Sequence, residues 1–300
     1  MLTGLAALMT AGLPAGVRAG EESPATPEAP TWRTGKFVWA DLFTNDPVAA
    51  EAFYTGLFGW TAAPPTTRMT SRGEAQRYVI LQHDGEPVAG IARHVSRHRA
   101  GKYARWVLYA SVADLPQAVA RATAEGGRVV LKPEAVGSRD PRAVLVDPQG
   151  AVIGLIHTDR GDGPDFQAEE GEWNWASLRT SDPEKARQFY ARVFDYDVVP
   201  DTRTVRTNDY ILASGTYARG SLQPLPSNDG ARPAWLGFVR VADVDAAVKR
   251  AMELGGSTLL AAKDPRPNMR VAIIADPTGA AIGLVQVRSF ETESEEEGAP

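Results

Sequence analysis

The sequence contains no cysteine among its 300 residues. Disulfides, thiolate catalysis and cysteine-ligated metal sites are therefore excluded. Histidine is also scarce, with four in the whole chain, so imidazole ligands for a metal are few. The apolar stretch of residues 2–17 is shorter than the roughly 18 residues that suggest a membrane-spanning helix. A stable membrane span is therefore not expected.

An excess of positive charge is missing as well. The net charge is −5, whereas binding to the phosphates of a nucleic acid needs a positive field. Basic side chains do cluster within residues 93–105, but no aromatic or glycine pattern accompanies them. We interpret this segment as a solvated loop, and nucleic acid is not expected as a partner.

The N-terminal segment favours export. Residues 2–17 are uncharged and rich in Leu, Ala and Gly, as in the apolar region of a secretory signal peptide. No Lys or Arg precedes this run, which departs from the usual pattern. We predict a periplasmic or secreted protein, with a cytoplasmic location as the alternative. Residues 1–34 are then a signal segment and flexible linker, and residues 289–300 an acidic disordered tail.

The most informative feature that is present is an internal duplication. The motif that begins at Phe37, FVWADLFTNDP, returns 136 residues later at Trp173 as WNWASLRTSDP. Near the end of each copy, an Asp-Pro-Gln-Gly turn at Asp147 returns 129 residues later at Asp276 as Asp-Pro-Thr-Gly. A repeat this regular indicates two copies of one fold. The composition, 43% hydrophobic, suffices to bury a core in each half.

Each copy is predicted to hold two units of the form βαβββ. Residues 37–42 alternate large apolar with smaller or polar side chains, as a half-buried strand does. Asp46 and Pro47 suit a helix start, because the Asp side chain accepts from free backbone amides and Pro lacks a donor that would be unpaired there. We predict three segments, namely a first domain at residues 35–157, a linker at 158–172 and a second domain at 173–288.

These motifs together resemble the vicinal oxygen chelate superfamily, which contains glyoxalase I, the extradiol dioxygenases and the bleomycin-resistance proteins. The resemblance covers residues 35–287 and is greatest to a two-domain bacterial glyoxalase-like branch, whose opening Gly-Lys-Phe-Val-Trp motif is similar to residues 35–39. It implies an α+β fold of tandem glyoxalase-like domains. In each domain, two βαβββ units would form a curved, partly open, barrel-like sheet around a cavity.

The resemblance also implies where a divalent metal would bind, and these positions hold residues that cannot bind it. The opening strands carry Trp39 and Trp175 where the first ligand is expected, and the last ligand position holds Gly154 or Gly283. The other two positions fall near these residues: Gly90 and Trp106 or Val107 in the first half, and Gly220 and Trp235 or Leu236 in the second. A hard cation needs oxygen or imidazole donors. No metal and no cofactor is predicted, although a divalent metal held by other donors is an alternative.

Aromatic residues are expected to occupy the cavity instead. The candidate ligand-binding residues are four tryptophans at the heads of strands and two polar residues, namely Trp39, Trp106, Trp175, Trp235, Asp41 and Tyr109. Tryptophans in a cavity suit a flat or apolar ligand, or they fill the core where a metal would otherwise lie. Asp41 is also a weak candidate for a general base, with a hydrogen-bonded structural carboxylate as the alternative.

The leading hypothesis is a metal-independent protein that binds a small apolar or aromatic molecule in a tryptophan-lined cavity, as the bleomycin-resistance relatives imply. The first alternative is a glyoxalase- or dioxygenase-like enzyme, a lyase, isomerase or oxygenase, with an atypical metal site or none. The second alternative is a structural or interaction protein. The residues leave open whether the protein is catalytic, and we expect a monomer or a homodimer.

Overall fold

The computed structural model describes residues 29–69, 75–94, 104–134, 140–204, 208–225 and 231–288. The predicted signal segment and the acidic tail lie outside these ranges. Within them the chain forms four helices and seventeen strands, arranged in two separate mixed sheets. No helix in the described ranges is long and apolar enough to cross a membrane.

The first half forms one sheet. Its first unit contains β1 (Phe37–Thr44), α1 (Pro47–Phe58), β2 (Thr61–Ala62), β3 (Thr66–Met69), β4 (Ala75–His83) and β5 (Glu86–Arg93). Its second unit contains β6 (Ala104–Ser111), α2 (Leu115–Ala124), β7 (Arg128–Glu134), β8 (Arg142–Val146) and β9 (Val152–Ile156). The strand order is β2-β4-β5-β1-β6-β9-β8-β7, and β3 pairs with β4. The opening strands of the two units, β1 and β6, are antiparallel neighbours at the centre of the sheet.

The second half forms the other sheet. Its first unit contains β10 (Trp173–Thr180), α3 (Pro183–Phe194), β11 (Asp197–Pro200), β12 (Tyr210–Ser214) and β13 (Tyr217–Pro224). Its second unit contains β14 (Ala234–Arg240), α4 (Val244–Glu253), β15 (Ser257–Arg266), β16 (Met269–Ala275) and β17 (Ala281–Val287). The strand order is β11-β12-β13-β10-β14-β17-β16-β15, the same as in the first sheet. The predicted α+β class and the duplicated βαβββ units are confirmed.

Each helix begins at an aspartate that caps it. The side chain of Asp46 accepts a hydrogen bond from the amide of Ala49 at 3.1 Å, and the other three helices repeat this contact at Asp114, Asp182 and Asp243. Such a cap satisfies an amide that has no partner within the helix. This local rule explains why the sequence predicts the helix starts well.

The two halves share one hydrophobic core. All four helices and one face of each sheet contribute buried side chains to a single cluster. Helix α1 contacts α4 of the other half, and α2 contacts α3. The expectation of a separate core in each half is therefore wrong, because each helix buries part of its apolar face against the opposite half.

Hydrogen bonds cross the shared core from the first half to the second. The Trp106 indole donates to the Tyr54 hydroxyl at 2.8 Å. That hydroxyl donates to Oδ2 of Asp276, in the turn of the opposite half, at 3.0 Å. Burial raises the pKa of Tyr54 well above its ordinary value, so the hydroxyl stays a donor. We call Trp106, Tyr54 and Asp276 the first clasp.

A matching set of contacts runs the other way. The Trp235 indole donates to the Tyr190 hydroxyl at 2.9 Å, which donates to Oδ2 of Asp147 at 2.9 Å. Burial raises the pKa of Asp147, against the effect of the backbone amides that its other oxygen accepts. We call Trp235, Tyr190 and Asp147 the second clasp. The two clasps join the halves at equivalent positions, as the duplication requires.

Candidate functional site

The second sheet carries a cavity of about 520 Å³ on the face that points away from the shared core. Along β10, Ala176 and Leu178 lie in the core, while the alternating residues Trp175, Ser177 and Arg179 line the cavity. The volume falls within the range of small-molecule sites, roughly 300 to 1,000 Å³. The period-two alternation of a strand therefore separates core from cavity.

A chain of hydrogen bonds crosses the sheet side of the cavity. The indole of Trp175 donates to the Ser221 hydroxyl at 3.0 Å, and Ser221 donates to the Ser177 hydroxyl at 3.0 Å. Ser177 and Ser221 are directly opposite in the parallel pair of β10 and β13. The bond fixes the orientation of the Trp175 ring in the cavity lining.

Apolar side chains form much of the remaining lining, including Phe238, Ile211, Val271, Ile273 and Val285. Phe238 lies beside Gly283, where an added Cβ would come within 2.2 Å of the phenyl ring. Glycine at 283 therefore makes room for this ring. The lining suits the burial of an apolar or aromatic molecule.

The mouth of the cavity is charged. Asp201 accepts from Arg203 at 2.7 Å and from Arg266 at 3.0 Å. Burial alone would raise the pKa of Asp201, but its bonds to these guanidiniums hold that pKa below its ordinary value. The exposed Lys263 and the half-buried Arg179 also line the cavity.

The equivalent face of the first sheet is built around Asp41, which is fully buried. Its Oδ1 accepts from the Trp39 indole at 2.9 Å and from the Tyr78 hydroxyl at 2.5 Å. Its Oδ2 accepts from Arg142 at 3.1 Å, and that guanidinium lies over the ring of Tyr109 at 5.2 Å. We call these five residues the filled site.

The charges in the filled site balance each other. Only 3% of the Arg142 side chain and none of the Asp41 side chain is exposed. Burial acts to lower the pKa of Arg142, but the charge and hydrogen bond of Asp41, together with the neighbouring Tyr109 and Tyr78, outweigh burial and the pKa is raised overall. A carboxylate with a guanidinium and two further donors is a structural group. These contacts support that alternative for Asp41 over a general base.

The filled site also occupies the space that a metal would need. A Cβ at Gly90 would lie 1.6 Å from the Tyr78 hydroxyl, and a Cβ at Gly154 would lie 2.1 Å from the Tyr109 ring. A side chain that could coordinate a metal therefore has no room at either position. The described residues contain no group of three or more His, Asp or Glu side chains arranged to hold a metal. The residues present do not fit the divalent metal of related folds.

Three residues that the sequence analysis places at the cavities, Trp106, Trp235 and Gly220, are not found there. Trp106 and Trp235 are buried in the shared core, on the strand face opposite to Trp39 and Trp175, where they form the clasps. They therefore do not line the cavities as predicted. Ser221 rather than Gly220 is the residue opposite Ser177. A one-residue difference in register moves a side chain to the other face of a strand.

Four of the predicted residues do lie on the cavity faces. Trp39, Asp41 and Tyr109 come together in the filled site, and Trp175 lines the open cavity. The sequence reasoning missed Arg142, which is 101 residues from Asp41. Its counterpart 129 residues later is Val271, and this break in the repeat was the available signal.

Both halves of the chain match a known domain family. A model described as a glyoxalase-like domain matches residues 37–156 and 175–285. The anthracycline biosynthesis protein DnrV of Streptomyces peucetius is 32% identical over 265 residues, which cover 85% of this chain and 94% of that protein.

Solved structures show the same fold. The Mn(II)-bound glyoxalase from Novosphingobium aromaticivorans has a TM-score of 0.56 at 15% identity, covering 87% of this chain and 85% of that one. The homoprotocatechuate 2,3-dioxygenase of Brevibacterium fuscum, in complex with 3,4-dihydroxyphenylacetate, has a TM-score of 0.57 at 13% identity, covering 90% and 85%. The resemblance read from the motifs is confirmed, and the chain belongs to the glyoxalase-like family of the vicinal oxygen chelate superfamily.

Proposed function

We propose that the protein binds a small apolar or aromatic molecule, without a metal, in the cavity of the second domain. One observation carries the proposal. The second sheet has a cavity of about 520 Å³ lined by Trp175, on the face that the filled site occupies in the first sheet. The protein therefore takes up one ligand per chain.

The chemistry of the lining supports an aromatic or apolar ligand. The Trp175 indole is held by Ser221 and does not pack against either hydrophobic cluster of the described residues. An aromatic ring next to it gains both buried area and an offset-stacked or edge contact. Phe238 and Val285 add apolar surface on the same face.

The donor set supports binding without a metal. Ser177 and Ser221 bond to each other and to Trp175, and a neutral hydroxyl is a weak ligand for a divalent cation compared with carboxylate or imidazole. Gly283 occupies the position where the resemblance places a carboxylate ligand. The serines are better suited to orient a polar atom of the ligand.

The relatives support an aromatic ligand indirectly. DnrV is named for the biosynthesis of anthracyclines, which are flat polycyclic aromatic compounds. A flat aromatic molecule is also what Trp175 and the apolar lining would accept.

Calorimetric titration with 2-acetylnaphthalene, a neutral two-ring aromatic, tests this proposal. We expect one site per chain. Trp175→Leu should weaken binding by about tenfold, because it removes an aromatic contact worth about 1 kcal/mol together with buried area. Trp39→Leu is the matched control in the first domain and should leave the affinity unchanged. Saturable binding that Trp175→Leu does not weaken would contradict the proposal.

An enzyme of this fold is the second candidate, favoured by the glyoxalase and dioxygenase structures that share it. Metal analysis after purification without chelators separates the two candidates. Less than one metal ion in ten chains is the expected result. Zinc, nickel, iron or manganese at one ion per chain would favour the enzyme and contradict metal-independent binding.

We also propose that residues 2–17 direct export. Mass spectrometry of the protein from its native host should then find a mature N-terminus near Gly20. A chain that begins at Met1 in the cytoplasmic fraction would contradict export.

A further inference from the structure

We infer that the ligand of the second cavity is an anion, with an apolar or aromatic body and a carboxylate or similar acidic group. The inference rests on the proposed function, because it concerns the same cavity. It adds the charge of the ligand and the end of the cavity at which that charge lies.

The first observation is an imbalance of charge. Among the described residues, four cationic and two anionic side chains line the cavity, namely Arg179, Arg203, Lys263, Arg266, Asp201 and Asp209. The lining thus has an excess of two positive charges, although the whole chain has a net charge of −5. The cavity is locally opposite in sign to the rest of the molecule, which draws anions toward it.

The second observation is where the charges lie. The side chains of Arg203 and Arg266 are 53% and 27% exposed, and Lys263 is exposed as well. The apolar residues Val271 and Val285 are buried, at 9% and 2% exposure. An anionic group would therefore lie at the mouth, beside the cations, and the apolar body would lie inside.

The two acidic residues do not cancel the cations. Asp201 is shared by Arg203 and Arg266, and one carboxylate neutralises only one of two guanidiniums. Asp209 accepts from the neutral amide of Gln223 at 3.2 Å. In the described part of the chain Lys263 has no ion-pair partner, so it is the side chain best placed to meet an external anion.

The third observation is that two of these cations are missing from the equivalent positions of the first domain. The position of Arg179 is held there by Phe43, and the position of Lys263 by Glu134. At these two positions the second domain, which has the open cavity, carries a cation and the first domain carries none. Surface charges unrelated to the cavity would not be expected to differ between the two domains in this way.

Three naphthalene derivatives that differ in charge test the inference, namely the anion 2-naphthoate, the neutral 2-acetylnaphthalene and the cation 2-naphthylmethylammonium. At low salt the anion should bind about two- to fivefold more tightly than the neutral probe, since an exposed ion pair contributes up to about 1 kcal/mol. The cationic probe should bind most weakly. Raising the ionic strength should reduce the preference, because exposed charges are screened.

Lys263→Gln should reduce the preference for 2-naphthoate about two- to fivefold and leave the affinity for 2-acetylnaphthalene unchanged. Lys249→Gln removes the same charge from an exposed position of α4, on the core side of the sheet, and should change neither affinity. Equal binding of the neutral and anionic probes, or a preference that Lys263→Gln leaves intact, would overturn the inference while the proposed function stands. Failure of all three probes to bind would overturn both.

Discussion

The two domains have the same strand order, but their cavity faces differ at a few paired positions. The first domain has a buried ion pair and a tyrosine where the second has a serine and apolar side chains, namely Asp41 against Ser177, Arg142 against Val271 and Tyr109 against Phe238, and it has Gly90 where the second has Ser221. The backbone fold is therefore duplicated, whereas the side chains of the cavity faces are not. In this fold, what a domain can bind depends on a handful of inward-facing residues rather than on its topology.

The filled site shows how a domain of this fold can be stable where related folds hold a metal. Asp41 supplies the negative charge, and the Arg142 guanidinium supplies a positive charge fixed to the chain. Tyr78 and Tyr109 take up the volume that Gly90 and Gly154 leave. The second domain lacks this ion pair and has Phe238 in place of Tyr109 and Asp209 in place of Tyr78, and its cavity stays open.

The largest expected effect comes from breaking the ion pair. Arg142→Leu leaves the buried Asp41 carboxylate without its cation, and it should lower the free energy of unfolding by about 3 to 5 kcal/mol. Urea unfolding measures this loss. The double variant Asp41→Ser with Arg142→Val introduces the residues of the second domain, and it should recover at least half of the loss. A loss below about 1 kcal/mol for the single variant, as for an exposed ion pair, would show that the pair is not buried.

The second-largest expected effect is a difference in stability loss between variants of the equivalent residues Trp39 and Trp175. Trp39 packs against the apolar cluster of Val107 and Tyr109, so Trp39→Ala should lower stability by about 3 kcal/mol, at the low end for large aromatic truncations. Trp175 borders the cavity, so Trp175→Ala should lower stability by no more than about 1 kcal/mol, because little packing is lost. Losses of similar size in the two variants would show that the second cavity is packed rather than open.

The clasps should respond alike in the two halves. Tyr54→Phe and Tyr190→Phe each remove a hydroxyl that joins an indole donor to a carboxylate. Each variant should lose about 1 to 2 kcal/mol, because buried partners are left without a hydrogen bond. Denaturant unfolding of both variants makes the comparison. Unequal losses would show that the halves are not joined symmetrically.

The smallest expected effect is a change with pH at the second clasp. The pKa of Asp147 is raised by burial in the folded protein. The protonated carboxyl is therefore favoured by folding, and its contribution to stability is present at low pH and lost as pH rises through the folded pKa. The stability of the wild type relative to Asp147→Asn should accordingly fall between about pH 3 and pH 7. A relative stability that rises over this range would mean that the carboxylate form is favoured instead.

The sequence predicts the local features of this molecule well. The aspartate caps at Asp46 and Asp182 depend on residues three positions apart, and the repeat of the opening motif places Trp39 and Trp175 on equivalent strands. These features follow from short-range rules of capping and alternation. The curved, partly open sheet with two βαβββ units in each domain follows from the family resemblance that the repeat motifs carry.

Features that depend on strand register or on long-range packing cannot be predicted from short-range patterns in the sequence. The sequence predicts Trp106 in a cavity because it does not specify the register of the strand, whereas the neighbouring Val107 occupies that face. The contact of Asp41 with Arg142 joins two strands that are not adjacent in the sheet. The shared core arises because helices of one half pack on the other, which no pattern within a single half reveals.

The difference between the two cavity faces is tested most directly by a crystal structure with 6-bromo-2-naphthoate, using the anomalous scattering of bromine to locate the probe. We expect one bromine peak per chain, inside the second sheet and next to Trp175, with the carboxylate toward Lys263. A peak next to Trp39 in the first sheet, or equal peaks in both sheets, would contradict the assignment of binding to the second domain alone.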